Sequence, residues 1–136
     1  MIVKNSCFNV EKVRVSELCF KVNDEFGPNE VKLDINQKTG YAIIENENRA
    51  KLKMEIELFK TDRGIAPFDL KVVMEGFFNW EEDIDKDKLE HFLLINGAAV
   101  LLSYARPIIT QITTFAGFPP LILPLMNFVD SEEDCE

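Results

Sequence analysis

Few residues of this 136-residue chain have the types and spacing that enzymatic chemistry requires. His91 is the only histidine, Glu90 stands beside it, and no Ser or Cys lies at a helical spacing that would supply a nucleophile. Cys7, Cys19 and Cys135 are widely spaced and form no CxxC motif, so we interpret them as plain thiols. No set of ligands converges on a metal ion. We therefore expect no enzyme, no metal site and no other cofactor.

The composition favours apolar contacts over charge-based recognition of nucleic acid. Apolar residues make up 46% of the chain, and eleven Phe stand beside one Trp and two Tyr. The formal net charge of −9 argues against binding to a phosphate backbone, which needs clustered Lys and Arg. The longest apolar runs, 97–104 and 116–128, are short or interrupted by prolines. Because the N-terminal residues also lack a signal-peptide layout, we expect a cytoplasmic protein without stable membrane insertion.

The first eighty residues show the alternation of half-buried β-strands. The segments 51–59 and 67–74 each place an apolar residue at every second position, and they are separated by turn-rich stretches at 45–50 and 61–66. This pattern predicts consecutive antiparallel strands with one wet face. The predicted inward residues of 67–74 are Phe68, Leu70, Val72 and Met74.

The N-terminal segment changes its alternation twice. Apolar residues fall on even positions up to Val10, on odd positions at Val13 and Val15, and on even positions again from Leu18. A flat strand would turn these side chains to opposite faces, so we predict one or two bulges or a bend. A second strand is predicted at 30–35, followed by a weak break at 37–40 before 41–44.

The remaining part of the domain reads as helical. The segment 85–95 is rich in helix formers, Asn96–Gly97 is a predicted interruption, and 98–114 is apolar on most faces. Such a helix must be covered on more than one side, which in a chain of this size predicts a second subunit. Pro107 should kink or divide the helix, and Gly117 should end it.

Beyond the helix, three prolines predict an extended conformation for part of 118–128. The acidic run 129–136 carries five carboxylates and is predicted to be a disordered tail, with partner docking as the alternative reading. We see one domain, 1–136, and no internal repeat.

The segment 96–128 resembles the signature of the SecB family of bacterial export chaperones. The Tyr104-Ala105-Arg106 triplet, the Phe118-Pro119 pair and the closing Asn127-Phe128 pair match that signature, and 13–20 and 30–35 are similar to the first two strands of the family. The resemblance implies an α+β fold, in which a long C-terminal helix packs on one face of a four-stranded antiparallel sheet. It also implies a homotetramer, built as a dimer of dimers with the long helices between the sheets.

The family holds exported precursors unfolded and passes them to the ATPase SecA, so the resemblance implies an ATP-independent holdase of the Sec pathway. Glu17 is the expected contact for SecA. For each candidate client-binding residue, burial in the core remains the alternative, and for the aromatic cluster at 77–80 a subunit interface is a further one. The expected client-binding residues are Val31, Leu33, Ile35, Phe77, Phe78, Trp80, Leu121, Leu123 and Phe128. The expected oligomer-interface residues are Phe68, Leu70, Val72, Met74, Leu101, Tyr104 and Arg106.

Some positions depart from the family pattern. Lys21 and Lys71 stand where the family has acidic residues, and the segment after Phe128 is too short for the family's second helix, which covers the client groove. These departures keep two alternatives open: a SecB-like chaperone dedicated to one partner, such as an antitoxin of a toxin–antitoxin pair, and a structural oligomeric subunit without client binding.

Overall fold

Four antiparallel strands and one long helical stretch position every residue discussed below. The structure is a computed structural model that describes residues 8–26, 33–44, 46–59, 66–126 and 128. The strands pair in the order β1-β4-β3-β2, so β1 and β2 are the two edges. This sheet with its C-terminal helix confirms the predicted fold class. The elements are β1 Phe8–Val22, β2 Ile35–Ile44, β3 Arg49–Leu58, β4 Phe68–Trp80, α1 Lys86–His91, a π-helical segment Phe92–Gly97, and α2 Ala98–Phe115.

Two bulges in β1 bring its apolar residues onto one face. The register with β4 shifts between Val10 and Lys12 and again between Val15 and Glu17. Each bulge adds one residue to β1 and so resets its alternation. The prediction drawn from the changing parity is confirmed at both positions.

The core lies between α2 and the even-numbered side of β3 and β4. Leu52, Met54 and Ile56 of β3 are fully buried, and Leu101 of α2 is buried above them. Burying such a side chain contributes about 1.5–3 kcal/mol. Gly76 of β4 permits the close approach, because a Cβ atom there would lie 2.8 Å from Leu101 Cδ2.

The predicted break at 37–40 is wrong, because β2 pairs continuously with β3 from Ile35 to Ile44. Gln37 pairs with Ile56 and Gly40 pairs with Lys53 of β3. This pairing outweighs the weak preference of these residues for a turn. Half of the predicted strand 30–35, residues 30–32, lies outside the described residues, and Leu33 and Asp34 precede β2, which begins only at Ile35.

The helical stretch is continuous where an interruption was predicted. Asn96 and Gly97 belong to the π-helical segment, which joins α1 to α2. Pro107 does not divide α2. Proline removes one hydrogen bond to the residue four positions earlier. The carbonyl that loses its helical donor belongs to Ser103, and both Ser103 and Pro107 are exposed residues of α2.

Gly117 ends the helix, as predicted. Its φ of +89° is unfavourable for other residues, and its N–H donates to the carbonyl of Thr114. The N–H of Phe118 donates to the carbonyl of Thr113. These two bonds form a Schellman motif, which reverses the chain direction.

The combined helical stretch Lys86–Phe115 is long and apolar enough, by length and composition, to cross a membrane. One such helix is weak evidence for a span, since core helices have the same composition. Here one face of the stretch packs on the sheet, which accounts for much of its apolar character.

Candidate functional site

The side of the sheet that faces α2, which we call the helix side, has apolar surface on β1 that the described residues leave exposed. Val15 and Leu18 lie opposite the core residues Met74 and Val72 of β4, so their side chains point to the same side as the core. They are nevertheless 40% and 44% exposed. The neighbouring Val10 and Val22 are 48% and 39% exposed on the same side.

One flank of α2 also carries open apolar side chains. Tyr104, Ile108 and Phe115 are spaced by four and seven residues, which places them on one flank of a helix. Tyr104 is 52% exposed and Phe115 is 82% exposed. We call this surface the assembly face. It consists of Val10, Val15, Leu18, Val22, Tyr104, Ile108 and Phe115.

Side chains of the opposite flank of α2 hold the segment 119–126, which we call the extended segment. Arg106 Nε donates to the carbonyl of Leu123 at 3.1 Å, and Thr110 Oγ1 donates to the carbonyl of Leu121 at 2.8 Å. The N–H of Leu121 donates to Thr113 Oγ1 at 3.0 Å. These bonds run the segment back along α2, antiparallel to it.

The extended segment alternates between buried and open side chains. Leu123 is fully buried, whereas Ile122 and Leu125 are 69% and 81% exposed. Sequence reasoning missed both exposed residues. If Leu121 and Leu123 of an extended chain face the protein, the residue between them must face away. The predicted extended conformation therefore already implied that Ile122 is exposed.

The structure corrects part of the predicted client-binding set. Phe78, Trp80 and Leu123 belong to the core of the single chain, where they have almost no surface to offer a client. Phe77 is half-buried on the opposite, outer face of the sheet. Val31 lies outside the described residues. The half-buried members on the core side are Leu33, Ile35, Leu121 and Phe128.

The predicted interface set is corrected in the same way. Five of its members are buried inside one chain between the sheet and α2, so their contacts are intramolecular. They are Phe68, Leu70, Val72, Met74 and Leu101. Tyr104 remains open. Arg106 needs a polar partner because its surroundings are apolar, and this partner is the carbonyl of Leu123 in the same chain.

A buried carboxylate organises the outer face of the sheet. Glu75 is 6% exposed, and its two oxygens lie 2.7 Å from Arg14 Nη2 and 2.8 Å from Lys51 Nζ. The hydrogen bond from Lys51, followed by that from Arg14, holds the pKa of Glu75 below its ordinary value against the opposing effect of burial. Both cations also lie over the ring of Phe77, at 5.3 and 5.8 Å from its centroid.

Glu17, the predicted SecA contact, is paired within the chain. Lys71 Nζ lies 3.2 Å from Glu17 and 3.1 Å from Glu55. The hydrogen bond from Lys71 lowers the pKa of Glu55, and the two carboxylates raise the pKa of Lys71. A partner that used the Glu17 carboxylate would compete with this internal pair.

The only histidine of the chain, His91, lies beside a paired carboxylate at the end of the first helix. His91 is exposed at the end of α1. Beside it, Glu90 bonds Tyr41 at the edge of a surface depression of about 470 Å³, and this bond raises the pKa of Tyr41. Cys19 is exposed. Within the described ranges, no three His, Cys, Asp or Glu side chains are placed to hold a metal ion.

Several known proteins are similar to this chain. The protein-export protein SecB of Anaplasma phagocytophilum is 29% identical over 80 residues, which cover 57% of this chain and 51% of the relative. An uncharacterised protein of Methanocaldococcus jannaschii is 41% identical over 68 residues, or 50% of this chain and 43% of the relative. The SecB of Xylella fastidiosa is 25% identical over 132 residues, or 93% of this chain and 74% of the relative. The chain thus spans about half the length of the first two.

A solved structure has the same fold. It is the SecB-like chaperone of Mycobacterium tuberculosis in complex with a peptide from the HigA1 antitoxin, and it superposes with a TM-score of 0.71. The match covers 88% of this chain and 90% of that chain at 14% identity. The family model described as preprotein translocase subunit SecB matches residues 4–131. With the family matched over almost the whole chain and the fold shared, this protein belongs to the SecB family.

Proposed function

We propose that this protein is an ATP-independent holdase, which binds unfolded and precursor polypeptides in the cytoplasm. The observation that carries this proposal is the apolar surface left open on the helix side of a folded chain. Soluble monomers rarely expose contiguous apolar surface, so such surface marks contacts with other chains. Membership of the SecB family indicates that these other chains include client polypeptides, because the family is made up of chaperones.

We assign the assembly face to contacts between copies of this chain. Its residues come from the edge strand β1 and from one flank of α2, and both leave apolar side chains open to a second copy. A two-fold contact would bury each open side chain twice, once per subunit. A dimer of dimers, with the long helices between the sheets, is the arrangement that the family resemblance implies.

We assign client binding to the extended segment and to the half-buried members of the predicted client-binding set. Ile122 and Leu125 are the most open of these, and the backbone that carries them is held by α2. Covering apolar surface contributes about 25 cal/mol per Å². Each contact with an unfolded chain is therefore weak, and several copies in one particle would raise the effective affinity. The half-buried candidates are Leu33, Ile35, Leu121 and Phe128.

A client-specific chaperone is the second candidate. The observation that favours it is the internal pairing of Glu17 with Lys71, which makes hand-off to SecA through this carboxylate less favourable. The structural relative from Mycobacterium tuberculosis binds an antitoxin peptide. A pull-down separates the two candidates, because general export predicts many unfolded clients and a dedicated chaperone predicts one stoichiometric partner.

The decisive experiment combines native mass with holding activity. Light scattering gives the mass of the particle, and delayed aggregation of a slowly folding precursor gives the activity. We expect Ile122→Asp with Leu125→Asp to reduce the delay several-fold at unchanged mass, because two carboxylates replace the most open apolar side chains. Ser103→Asp, at an exposed position of α2, is the matched control.

A monomeric wild-type protein that does not delay aggregation would contradict the holdase proposal. An oligomer of unchanged mass in which the double variant holds the precursor as well as wild type would remove the extended segment from the client site. In that case Leu33→Asp tests the alternative position near β2.

A further inference from the structure

The outer face of the sheet is cationic in a strongly acidic protein. The chain as a whole has 15 Lys and Arg against 24 Asp and Glu. The side of the sheet that faces away from α2 reverses this balance, with more cations than carboxylates. Its cations are Lys12, Arg14, Lys21, Lys38, Arg49, Lys51, Lys53 and Lys71, and its carboxylates are Glu11, Glu17, Glu55, Glu57, Asp69 and Glu75.

The salt bridges on this face leave its positive excess unchanged, because they pair four carboxylates with four cations. Four of its carboxylates are neutralised by salt bridges to Arg14, Arg49, Lys51 or Lys71. The remaining lysines make no salt bridge with any residue that the structure describes. These lysines are Lys12, Lys21, Lys38 and Lys53.

Two of these lysines stand beside a depression in the sheet. Gly40 of β2 lies opposite Lys53 of β3, and Ala42 lies opposite Lys51, so small residues of β2 face long cationic side chains. Outside Gly40 and its two chain neighbours, no atom lies within 4 Å of the position that a Cβ of Gly40 would occupy. The depression has a volume of about 400 Å³, and Lys38 and one carboxylate, that of Glu55, also line it.

The depression can accept an apolar side chain that has carboxylates on either side of it. The methylene stems of lysines provide apolar walls while their ammonium groups stay in water. Gly40 and Ala42 provide a floor without polar side chains. An apolar side chain therefore fits the depression, and carboxylates on either side of it would meet Lys38 and Lys53.

We propose that the outer face around Gly40 is a docking surface for an acidic segment of a partner protein, with one apolar side chain in the depression. A nucleic acid fits less well, because its uniform phosphate charge would meet the carboxylates of this face and the net charge of −9. An anionic membrane is disfavoured for the same reason. A short acidic segment contacts only the lysine-rich corner of the sheet.

The test measures fluorescence anisotropy with a labelled peptide of Glu and Asp that carries one central Leu. We expect wild type to bind it, with an affinity that falls as salt is added. Lys38→Glu with Lys53→Glu should raise Kd about tenfold or more, because two attractions become repulsions. Lys86→Glu with Lys88→Glu makes the same change of charge on exposed positions of α1 and should leave Kd unchanged.

A second variant tests the depression without changing the charge. Gly40→Leu places its side chain in open space and needs no positive φ, so the fold should be retained. We expect it to raise the Kd of the peptide several-fold at an unchanged Tm. Saturating unfolded precursor should not displace the peptide, because clients are assigned to the helix side.

Equal binding by wild type and the Lys38→Glu, Lys53→Glu variant would overturn the proposal. So would displacement of the peptide by the precursor, or tighter binding of a basic peptide of the same length. Anionic vesicles and a DNA duplex serve as further probes, and a preference for either over the peptide would also refute it.

Discussion

Replacing Leu18 by Asp tests whether the helix side of β1 is covered by another copy of this chain. Leu18 lies on the side of β1 that faces the core, yet it is 44% exposed. Cys19, the next residue, points to the outer face and is also exposed. The pair of variants Leu18→Asp and Cys19→Asp therefore adds the same charge at neighbouring positions on opposite faces of one strand.

The expected magnitude follows from the exposed fraction. Fully burying a Leu side chain contributes about 1.5–3 kcal/mol, so covering the open 44% of Leu18 contributes about 1 kcal/mol. A buried polar group without a partner costs about a further 1–3 kcal/mol. In a two-fold contact the change occurs twice. The free energy of association should therefore weaken by about 4 kcal/mol or more, which is about a thousandfold in Kd.

Sedimentation velocity over a range of concentrations measures this change. We expect Leu18→Asp to sediment as a smaller species than wild type, with far-UV circular dichroism unchanged, and Cys19→Asp to match wild type. The reasoning fails if Leu18→Asp keeps the wild-type mass, since an unpaired carboxylate would then be tolerated at the assigned contact. It also fails if Cys19→Asp dissociates to the same extent.

Three further predictions concern stability. Thr113→Val leaves the N–H of Leu121 without its acceptor and should lower the free energy of unfolding in urea by about 1–2 kcal/mol. Thr114→Val removes only an exposed hydroxyl and should lower it by less. Equal losses in the two variants would contradict this prediction. Gly117→Ala should cost about 1 kcal/mol because of the positive φ, and an unchanged Tm would contradict it. The lowered pKa of Glu75 means that its stabilising contribution is present above the ordinary carboxyl pKa and is lost as the pH falls through the lowered value. Glu75→Gln should therefore lower Tm at neutral pH and weaken the acid dependence of Tm, and superimposable Tm–pH profiles would exclude this role.

The strands could be predicted where alternation in the sequence matched the sheet. The changes of alternation in β1 indicated where both bulges lie, because each bulge adds one residue and so restores a common face. Phe78 and Trp80 were misassigned for a related reason. The even-numbered side of β4 continues through both residues into the core, but the pattern was followed only as far as Met74.

The open surfaces could not be predicted in full, because they depend on where α2 lies across the sheet. The apolar residues of β1 and β3 point to the same side of the sheet, yet Leu18 is half open and Ile56 is fully buried. No local feature of the sequence records that α2 covers one strand more than the other. The exposure of Ile122 was different, because it follows from the extended conformation that the prolines indicated.

The two faces of the sheet can act independently, and this bears on how an assembled particle would meet its partners. If copies associate through the helix side, their outer faces remain on the outside of the particle. Each copy would then present its own Lys38 and Lys53 while clients occupy the other side of the same sheet. A partner with several acidic segments could engage more than one copy at once, and its affinity would rise through effective concentration. Leu18→Asp should therefore weaken the binding of a multivalent acidic partner through loss of assembly, while leaving the Kd of a single acidic peptide unchanged.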